Sequence, residues 1–197
     1  MPDQSSARER LEHAMKGVQA LQTLADEYGI DDIFQDNGGK VLQTLIILDF
    51  KQLAGREGND AKDSSGQEFE LKTVNVRKQK QVTSHHHLNN EILDKYRKVA
   101  AWIISLYEGI NLREIYRVET CALEELFSDW ERRIATSKAG SLNNPKIPLT
   151  LVAEAVKNGT ATRVYPTLNP SEGASFLDTV VGQRRKRLAR KIQHTLF

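Results

Sequence analysis

The sequence predicts an α+β fold in which helices flank a central β-sheet of mixed strand direction. A continuous apolar run at residues 101–107 has the length and composition of a buried central strand. Strand-like segments joined by tight turns lie on both sides of it and require antiparallel pairs, whereas helical crossovers allow parallel ones. Segments with apolar residues three and four positions apart are typical of helices that cover such a sheet.

The first quarter of the chain predicts two helices separated by a loop. The first helix, capped by Ser5 or Ser6, spans about residues 5–28 and carries a narrow apolar stripe. That stripe could pack on its own domain or on a partner's copy. Residues 30–40 predict a loop and residues 41–50 a second helix. The pair Gly38-Gly39 between them could present amide hydrogens to a phosphate or serve as a flexible joint.

Residues 58–72 predict a β-hairpin with a turn at 63–66, where Gly66 adopts a positive φ without steric cost. Side chains two residues apart in a strand share a face, so Glu70 and Lys72 point the same way. Folding at the turn brings Asp60 alongside Glu70. Two carboxylates then converge beside one ammonium, as metal-assisted phosphodiester hydrolysis requires, because carboxylate oxygens hold Mg²⁺ and a cation orients or activates water.

The remaining elements follow from local pattern. Residues 77–81 are a polar connector and residues 82–90 a polar loop, after which Asn90 caps a helix at 91–99. Residues 110–118 return antiparallel to the central strand, and a helix begins at Thr120. We predict an extended segment at 145–148, a helix capped by Thr150 and ending near Gly159, a linker at 165–173 and an amphipathic helix at 175–196.

Composition limits the class of protein. No apolar run approaches bilayer length and the N-terminus lacks a signal-peptide pattern, so we expect no membrane association. The single Cys121 excludes an internal disulfide and fits a cytoplasmic location. We interpret it as a small core residue. Residues 161–197 contain seven Lys and Arg against two acidic residues, whereas the first 160 residues contain 21 basic and 24 acidic ones.

Other polar clusters have two interpretations each. Three consecutive histidines, residues 85–87, cannot easily bind one ion, and with Thr83 and Ser84 they predict either a loop that meets base edges or a solvated loop. Asn143-Asn144 offers amides that can bond adenine or make an ordinary turn. Asp36 also has an ordinary turn interpretation. Tyr96 could point into a cleft or be half-buried in the core.

The pattern Asp-x9-Glu-x-Lys at Asp60, Glu70 and Lys72 is similar to the signature of the PD-(D/E)xK nucleases, with Asn59 where a proline is usual. From spacing alone, a solvated hairpin is the alternative. Seven further segments occur in the order typical of one family, at residues 30–40, 55–61, 85–87, 95–97, 115–117, 130–132 and 143–148. Together they resemble the PvuII family of type II restriction endonucleases over roughly residues 10–160.

This resemblance implies a restriction-endonuclease-like fold and a Mg²⁺ site. Asp60 and Glu70 would be the metal ligands, with the backbone carbonyl of Leu71, and Lys72 would lie beside the nucleophilic water. Glu57 and Tyr96 would flank the metal site with auxiliary roles. Residues 1–160 would form the endonuclease domain, with a dimerisation helix at about 5–28, and residues 161–197 a basic extension.

The resemblance also implies how double-stranded DNA is read by a homodimer. The residues expected at the DNA are Asp36, Thr83, Ser84, His86, His87, Asn143 and Asn144. The implied palindrome is CAGCTG, cut at its centre to blunt ends, with a companion methyltransferase that protects the host. Two departures lie near the base contacts: Thr83-Ser84 stands in reversed order, and one extra residue precedes Asn143.

Two other functions are consistent with the residues alone. A sequence-specific DNA-binding protein without cleavage would use the base-reading loops and no metal, although the intact set of Asp60, Glu70 and Lys72 argues against it. A repair or junction nuclease of the same superfamily would cut according to DNA structure. The six basic residues within 183–191 predict contact with the DNA backbone or a partner subunit, or else a solvated helix.

Overall fold

The computed structural model of the protein describes residues 6–53, 60–166 and 175–182. The helices in these ranges are α1 (Ala7–Asp26), α2 (Gly38–Leu48), α3 (Asn90–Lys98), α4 (Glu124–Thr136) and α5 (Leu149–Lys157). The strands are β1 (Lys51–Gln52), β2 (Ala61–Lys62), β3 (Glu68–Asn75), β4 (Gln81–Thr83), β5 (Ala101–Glu108), β6 (Asn111–Val118), β7 (Lys146–Pro148) and β8 (Ala161–Tyr165). A 3₁₀ turn, Thr120–Leu123, leads into α4, and residues 176–182 are helical.

The main sheet contains six strands in the order β1-β2-β3-β5-β6-β8. β3 and β5 are parallel and the other neighbouring strands are antiparallel. A second, two-stranded sheet pairs β4 with β7. The predicted α+β fold, with a mixed central sheet flanked by helices, is therefore confirmed.

The sheet separates two hydrophobic cores, because successive side chains of a strand point to opposite faces. Phe69 and Ile103 pack with residues of α1 and α2 on one face. Val74 and Trp102 pack with α3, α4 and α5 on the other. Since Glu70 and Lys72 have the same parity as Val74, their side chains lie on the α3 side of the sheet.

α1 begins as predicted. The hydroxyl of Ser6 accepts the N–H of Glu9 at 3.2 Å, and the Glu9 carboxylate accepts the N–H of Ser6 at 2.7 Å, which forms a capping box. Ala25, near the other end of the helix, is fully buried, whereas Leu11 is 60% exposed. The apolar stripe thus meets the body of the protein only near its C-terminal end.

α2 begins earlier than predicted, and both interpretations of Gly38-Gly39 are wrong. The two glycines form the first turn of the helix, after Asn37 in the left-handed region. Their N–H groups donate to the carbonyls of Gln35 (2.6 Å) and Ile33 (2.9 Å), so they are not available to a phosphate. A Cβ on Gly38 would lie 2.5 Å from the carbonyl oxygen of Asp32. Close packing of the preceding loop therefore explains this glycine.

Smaller differences concern helix starts and one side chain. Asn89, not Asn90, caps α3, because its side chain accepts the N–H of Ile92 at 2.9 Å. α5 begins at Leu149, directly after Pro148, so Thr150 lies inside the helix rather than at its cap. Cys121 is exposed in the 3₁₀ turn, which corrects its interpretation as a core residue.

The sequence pattern does not single out β8, which pairs with β6 at the edge of the main sheet. The helical residues 176–182 add Leu177, Val180 and Val181 to the larger core. Residues 161–166 and 175–182 thus pack with the body of the protein. Most of the linker predicted at 165–173 and the last part of the helix predicted at 175–196 lie outside the described residues. No helix in the described ranges is long and apolar enough to cross a membrane.

Candidate active site and nucleic-acid interface

The hairpin of residues 60–72 carries four of the predicted site residues and sets the position of Asp60 relative to Glu70. Its turn is closed by a 3.1 Å hydrogen bond from the Gly66 N–H to the Asp63 carbonyl, and Gly66 has a φ of +84°. The Asp63 carboxylate accepts the N–H groups of Ser65 and Gln67, both at 2.9 Å. The resulting register pairs Ala61 with Phe69. Continuing it by one residue places Asp60 opposite Glu70, as the sequence predicts.

Asp60 and Glu70 meet at Lys72. The Lys72 ammonium donates to Oε1 of Glu70, and its Nζ lies 3.7 Å from Oδ2 of Asp60. The same Oδ2 accepts the N–H of Leu71 at 2.8 Å. The Glu70 and Lys72 side chains are 4% and 16% exposed, whereas that of Asp60 is 42% exposed. The group therefore combines a buried ion pair with one carboxylate that solvent and ligands can reach.

The buried pair titrates unusually. Burial raises the pKa of the Glu70 carboxyl to about 7, against the opposing effect of the Lys72 ammonium. For Lys72 burial acts in the lowering direction, but the negative charges of Glu70 and Asp60 outweigh it and raise the lysine pKa above its ordinary value. We infer that Lys72 remains a cation while Glu70 gains and loses its proton near neutral pH.

Tyr96, on α3, closes the site from one side. Its residue is 3% exposed, and its ring centroid lies 5.9 Å from Lys72 Nζ and 4.6 Å from the centroid of Trp102. Burial, the largest cause, raises the pKa of the Tyr96 phenol. Although the phenol is close enough to Glu70 and Lys72 to feel their charges, no hydrogen bond of normal geometry joins its oxygen to another described residue. The Tyr96 hydroxyl therefore forms part of the buried wall of the site beside Glu70.

The donor set suits a hard divalent cation. Mg²⁺ in nucleases is typically held by one or two carboxylates, with waters and substrate phosphate completing its shell. Asp60 and Glu70 supply two carboxylates within reach of one ammonium, and Asp60 is accessible. Among the described residues, no three or more His, Cys, Asp or Glu side chains lie close enough together to hold a metal ion by themselves. Any ion here would therefore depend on further oxygen ligands, for which the Leu71 carbonyl stays a prediction.

Glu57, the other predicted auxiliary residue, belongs to residues 54–59 and lies outside the described part of the chain.

Trp102 also lies at the site, although the sequence pattern does not point to it. Its ring centroid lies 6.0 Å from Lys72 Nζ because β3 and β5 pair in parallel, with Glu70 beside Trp102. Such a non-local register cannot be read from spacing along the chain.

The small β4–β7 sheet joins the two predicted base-reading segments into one surface, hereafter the β4–β7 platform, which consists of residues 81–90 and 141–148. Val82 pairs with Ile147, and beyond the strands the Ser84 N–H donates to the Pro145 carbonyl at 3.1 Å. Leu88 and Leu142 exchange two backbone hydrogen bonds of 2.8 Å. Segments some 60 residues apart in the sequence therefore present their polar side chains together.

Asn144 and His86 are directly coupled on this platform. Nδ2 of Asn144 lies 3.0 Å from Nδ1 of His86 and 3.0 Å from Oδ1 of Asn143. With the amide donating, Nδ1 of a neutral His86 is the acceptor and its Nε2 carries the proton. His86 and His87 are exposed, and both His87 (φ +58°) and Asn144 (φ +48°) lie in the left-handed region. The platform thus holds polar groups in a defined arrangement at the surface.

The remaining predicted DNA contacts differ in their surroundings. Thr83 accepts a 2.8 Å hydrogen bond from the Lys146 ammonium, a contact for which the sequence has no signal. The Ser84 hydroxyl is buried and has no partner among the described residues. Asp36 is exposed in the loop before α2, and its φ is +45°. It makes no side-chain hydrogen bond with another described residue, so the structure does not connect it to either cluster.

Comparison with protein families identifies the chain. The family described as restriction endonuclease PvuII matches residues 6–160, which include both clusters and the helices and strands that carry them. The match covers most of the chain and ends just before β8. Enzymes of this family are type II site-specific deoxyribonucleases that act on double-stranded DNA and generally need a divalent metal. The protein with the convergent Asp60, Glu70 and Lys72 therefore belongs to the PvuII family of restriction endonucleases.

Proposed function

We propose that the protein is a homodimeric, Mg²⁺-dependent endonuclease that cuts both strands of a short palindrome in double-stranded DNA. The proposal depends most on the convergence of Asp60, Glu70 and Lys72 on one hairpin. By resemblance to the family, the palindrome is CAGCTG and the cut lies at its centre, leaving blunt ends.

Asp60 and Glu70, with the carbonyl of Leu71, are the residues that would hold Mg²⁺. When bound, the ion supplies polarisation of the scissile phosphate and neutralisation of the charge that develops on its oxygens. The partial exposure of Asp60 favours this role, because a phosphate and water molecules must share the same ion.

Lys72 acts on the nucleophile. Its ammonium is held by Glu70 and lies 3.7 Å from Asp60, so a water molecule between these groups and the phosphate is oriented for in-line attack. Attack breaks the bond to the 3′ oxygen and leaves a 5′-phosphate and a 3′-hydroxyl. Tyr96 and Trp102 shield the ammonium from solvent, which strengthens its interaction with developing negative charge. Tyr96 and Glu57 have auxiliary roles at the site.

Base reading belongs to the β4–β7 platform. His86, His87, Asn143 and Asn144 meet base edges in the major groove, and Thr83 and Ser84 support them. An amide that donates and accepts suits adenine, while an imidazole N–H suits the acceptors of guanine. Because Asn144 contacts Nδ1 of His86, Nε2 is the imidazole nitrogen left to meet a base. Asp36 contacts the centre of the recognition site.

A palindromic site calls for a two-fold symmetric protein, in which each subunit cuts one strand. The exposed apolar residues of α1 are consistent with a helix that packs on its copy. Residues 183–191 would reach the DNA backbone or the partner subunit. Such an enzyme works in the cytoplasm, where a companion methyltransferase acting on the same sequence protects host DNA.

Digestion of a plasmid of known sequence tests the proposal. Wild-type protein with Mg²⁺ should yield discrete fragments, and sequencing of their ends should place the cut in a palindrome. Asp60→Asn should slow cleavage at least on the order of 100-fold, the loss expected when one transition-state group is removed. It should leave binding to the same duplex intact.

Asp129→Asn is the matched control, because Asp129 lies on α4 and forms ion pairs with neighbouring arginines of that helix. It should cut like wild type. Folded wild-type protein that binds one sequence but gives no product with Mg²⁺ or Mn²⁺ would replace the proposal with a DNA-binding protein. Cleavage that follows DNA junctions rather than sequence would indicate a structure-specific nuclease.

A further inference from the structure

A polar cleft of about 320 Å³ lies apart from both clusters described above. It opens between the start of α2 and the C-terminal half of β3. The residues that line it are Asn37, Lys40, Thr73, Asn75, Lys78 and Gln79. None of them belongs to the proposed metal site or to the β4–β7 platform, and all six carry polar side chains.

The charge of this cleft is uncompensated. Its lining contains Lys40 and Lys78 but no carboxylate, and neither lysine has an acidic partner at ion-pair distance among the described residues. Lys40 instead lies 3.3 Å from Oδ1 of Asn37 and 5.2 Å from the ring centroid of Tyr107. Burial, and then the like charge of Lys78, lower the pKa of Lys40. An anion between the two ammonium groups would offset both their mutual repulsion and the free-energy cost of their desolvation.

The neutral groups of the cleft also favour a ligand that accepts hydrogen bonds. Oδ1 of Asn75 already accepts the N–H groups of Arg77 (3.2 Å) and Gly109 (3.1 Å). Its amide NH₂ is therefore the part still able to bond. The Thr73 hydroxyl makes no hydrogen bond with another described residue and can donate. Two ammonium groups, an amide and a hydroxyl together match the oxygens of a phosphate.

The cleft shares an open sheet edge with the candidate active site. β2 pairs with β3 only at Glu68 and Phe69, and along the described chain no strand of the main sheet is hydrogen-bonded to that side of β3 from Glu70 onward. Alternation puts Glu70 and Lys72 on one face of this edge and Thr73 and Asn75 on the other. A duplex carries about one negative charge per 1.7 Å of its axis. Duplex DNA that reaches Lys72 along this edge therefore brings other phosphates toward the cleft.

We propose that this cleft binds a backbone phosphate of the DNA, distinct from the phosphate that is cut. The inference rests on the proposed function, since it takes DNA as the partner. Lys40 and Lys78 would hold one phosphate between them, and Thr73 and Asn75 would complete its hydrogen bonds. Because a lysine ammonium acts as a point charge on a phosphate, the contact contributes affinity and register on the duplex, and sequence discrimination stays with the platform.

The salt dependence of DNA binding tests this inference with the full chain. Binding of a cleavable duplex and of an unrelated duplex is measured without divalent metal, over a range of salt concentrations, for Lys40→Gln, Lys78→Gln and the double variant. One lost phosphate contact lowers the slope of log K against log salt by roughly 0.9. Because both lysines serve one phosphate, we expect the double variant to lose about 0.9 in total, equally on both duplexes.

Lys157→Gln is the control. Lys157 is exposed at the end of α5, and its substitution removes one positive charge, as each single lysine variant does. A scan of duplexes with single uncharged methylphosphonates adds a second readout. One non-scissile position should weaken binding by the wild type but not by the double variant. Lys78→Gln carries the test by itself if Lys40→Gln lowers the thermal stability, because Lys78 is exposed and its side chain makes no hydrogen bond or ion pair with another described residue.

The outcomes separate this inference from the proposed function. Wild-type cleavage with unchanged slopes in both lysine variants would overturn the cleft as a phosphate site while the nuclease stands. A loss near 1.8 in the double variant would contradict a single shared phosphate. Wild-type protein that neither binds nor cuts DNA would overturn both. Two results together would support the cleft as a phosphate site. The salt slopes would be reduced in the lysine variants but not in Lys157→Gln, and one methylphosphonate position would weaken binding by the wild type but not by the double variant.

Discussion

Glu70 is the residue whose environment most affects the behaviour of the site. Burial raises its pKa to about 7 from an ordinary value of 4.5. Between these two values the folded protein holds a proton that the unfolded chain releases. The folded state therefore binds more protons, and the free energy of unfolding of the metal-free protein falls as pH rises from about 4.5 to about 7. Above that range the contribution is constant.

The variant Glu70→Gln should remove this pH dependence, since an amide does not titrate. In metal-free urea unfolding between pH 4.5 and 7, the wild type should lose stability relative to the variant, with a slope of at most about 1.4 kcal/mol per pH unit. Asp94→Asn, an exposed position on α3, should keep the wild-type profile. Parallel profiles for wild type and Glu70→Gln would mean that Glu70 is ionised throughout this range.

Asn144 and His86 are the second pair at this scale, joined at 3.0 Å on the β4–β7 platform. Asn144→Ala should reduce discrimination between the cognate duplex and a duplex with one altered base pair by about 1–3 kcal/mol. A double-mutant cycle with His86→Ala should give a coupling energy above about 0.5 kcal/mol, because removing either side chain frees the other. Competition binding measures both quantities.

Asp36 supplies the comparison for this cycle. It makes no hydrogen bond with Asn144 in the structure, so Asn144→Ala and Asp36→Ala should be additive within about 0.3–0.5 kcal/mol. Additivity of Asn144→Ala with His86→Ala as well would show that the hydrogen bond does not organise base reading.

At the scale of elements, Glu114 on β6 anchors the residues that follow β8. Its buried carboxylate accepts the Arg163 guanidinium at 2.6 Å, the Tyr116 hydroxyl at 2.7 Å, and the N–H groups of Phe176 and Leu177 at 2.8 and 2.9 Å. These two N–H groups lie in the first turn of the helical residues 176–182. Backbone N–H groups in the first turn of a helix have no acceptor within the helix, and the Glu114 carboxylate accepts these two. One carboxylate therefore joins the central sheet, the edge strand and this helix.

Glu114→Ala should destabilise the protein by about 3–5 kcal/mol, because it leaves the nearly buried Arg163 without its carboxylate. Hydrogen exchange should show residues 176–182 opening before the central strands. Replacing both charges, as Glu114→Ala with Arg163→Met, should recover part of the loss, since no unpaired charge then remains. A loss below about 1 kcal/mol for Glu114→Ala would show that the anchor is dispensable.

At the scale of the whole molecule, α1 is a helix whose apolar stripe is only partly covered by the rest of the protein. The face that buries Ala25 and half-buries Val18 leaves Leu11 60% and Met15 37% exposed. These residues follow the same stripe at intervals of three, four and seven positions. A stripe buried at one end and exposed at the other is expected of a helix whose second half packs on its own subunit and whose first half packs on a partner.

The double variant Leu11→Glu with Met15→Glu should convert a dimer into a folded monomer, as sedimentation would show, because a buried charge at a two-fold contact occurs twice. Ala20→Glu places one negative charge on the opposite side of α1, and this variant should remain dimeric. In the proposed homodimer each subunit cuts one strand, so the monomer should also lose coordinated double-strand cleavage. A monomeric wild type would refute the dimer, and an unaffected double variant would place its contact elsewhere.

Local rules within the sequence determined much of this protein. The turn at residues 63–66 fixes the hairpin register, so the meeting of Asp60, Glu70 and Lys72 follows from spacing. Ser6 with Glu9 starts α1, and the apolar run at 101–107 is the central strand. Each of these depends on neighbours within about a dozen residues, whose hydrogen bonds and side-chain alternation are set by the chain itself.

Tertiary structure decided the features that depend on distant segments. The parallel register of β3 and β5 sets Trp102 against Lys72, and the pairing of β4 with β7 brings His86 to Asn144. Burial against these neighbours, not sequence position, raises the pKa of Glu70. Close approach of Asp32 requires Gly38, and the free side of β6 makes a strand of residues 161–165. Desolvation and long-range pairing are properties of the packed molecule, because they appear only when segments far apart in the chain are brought together.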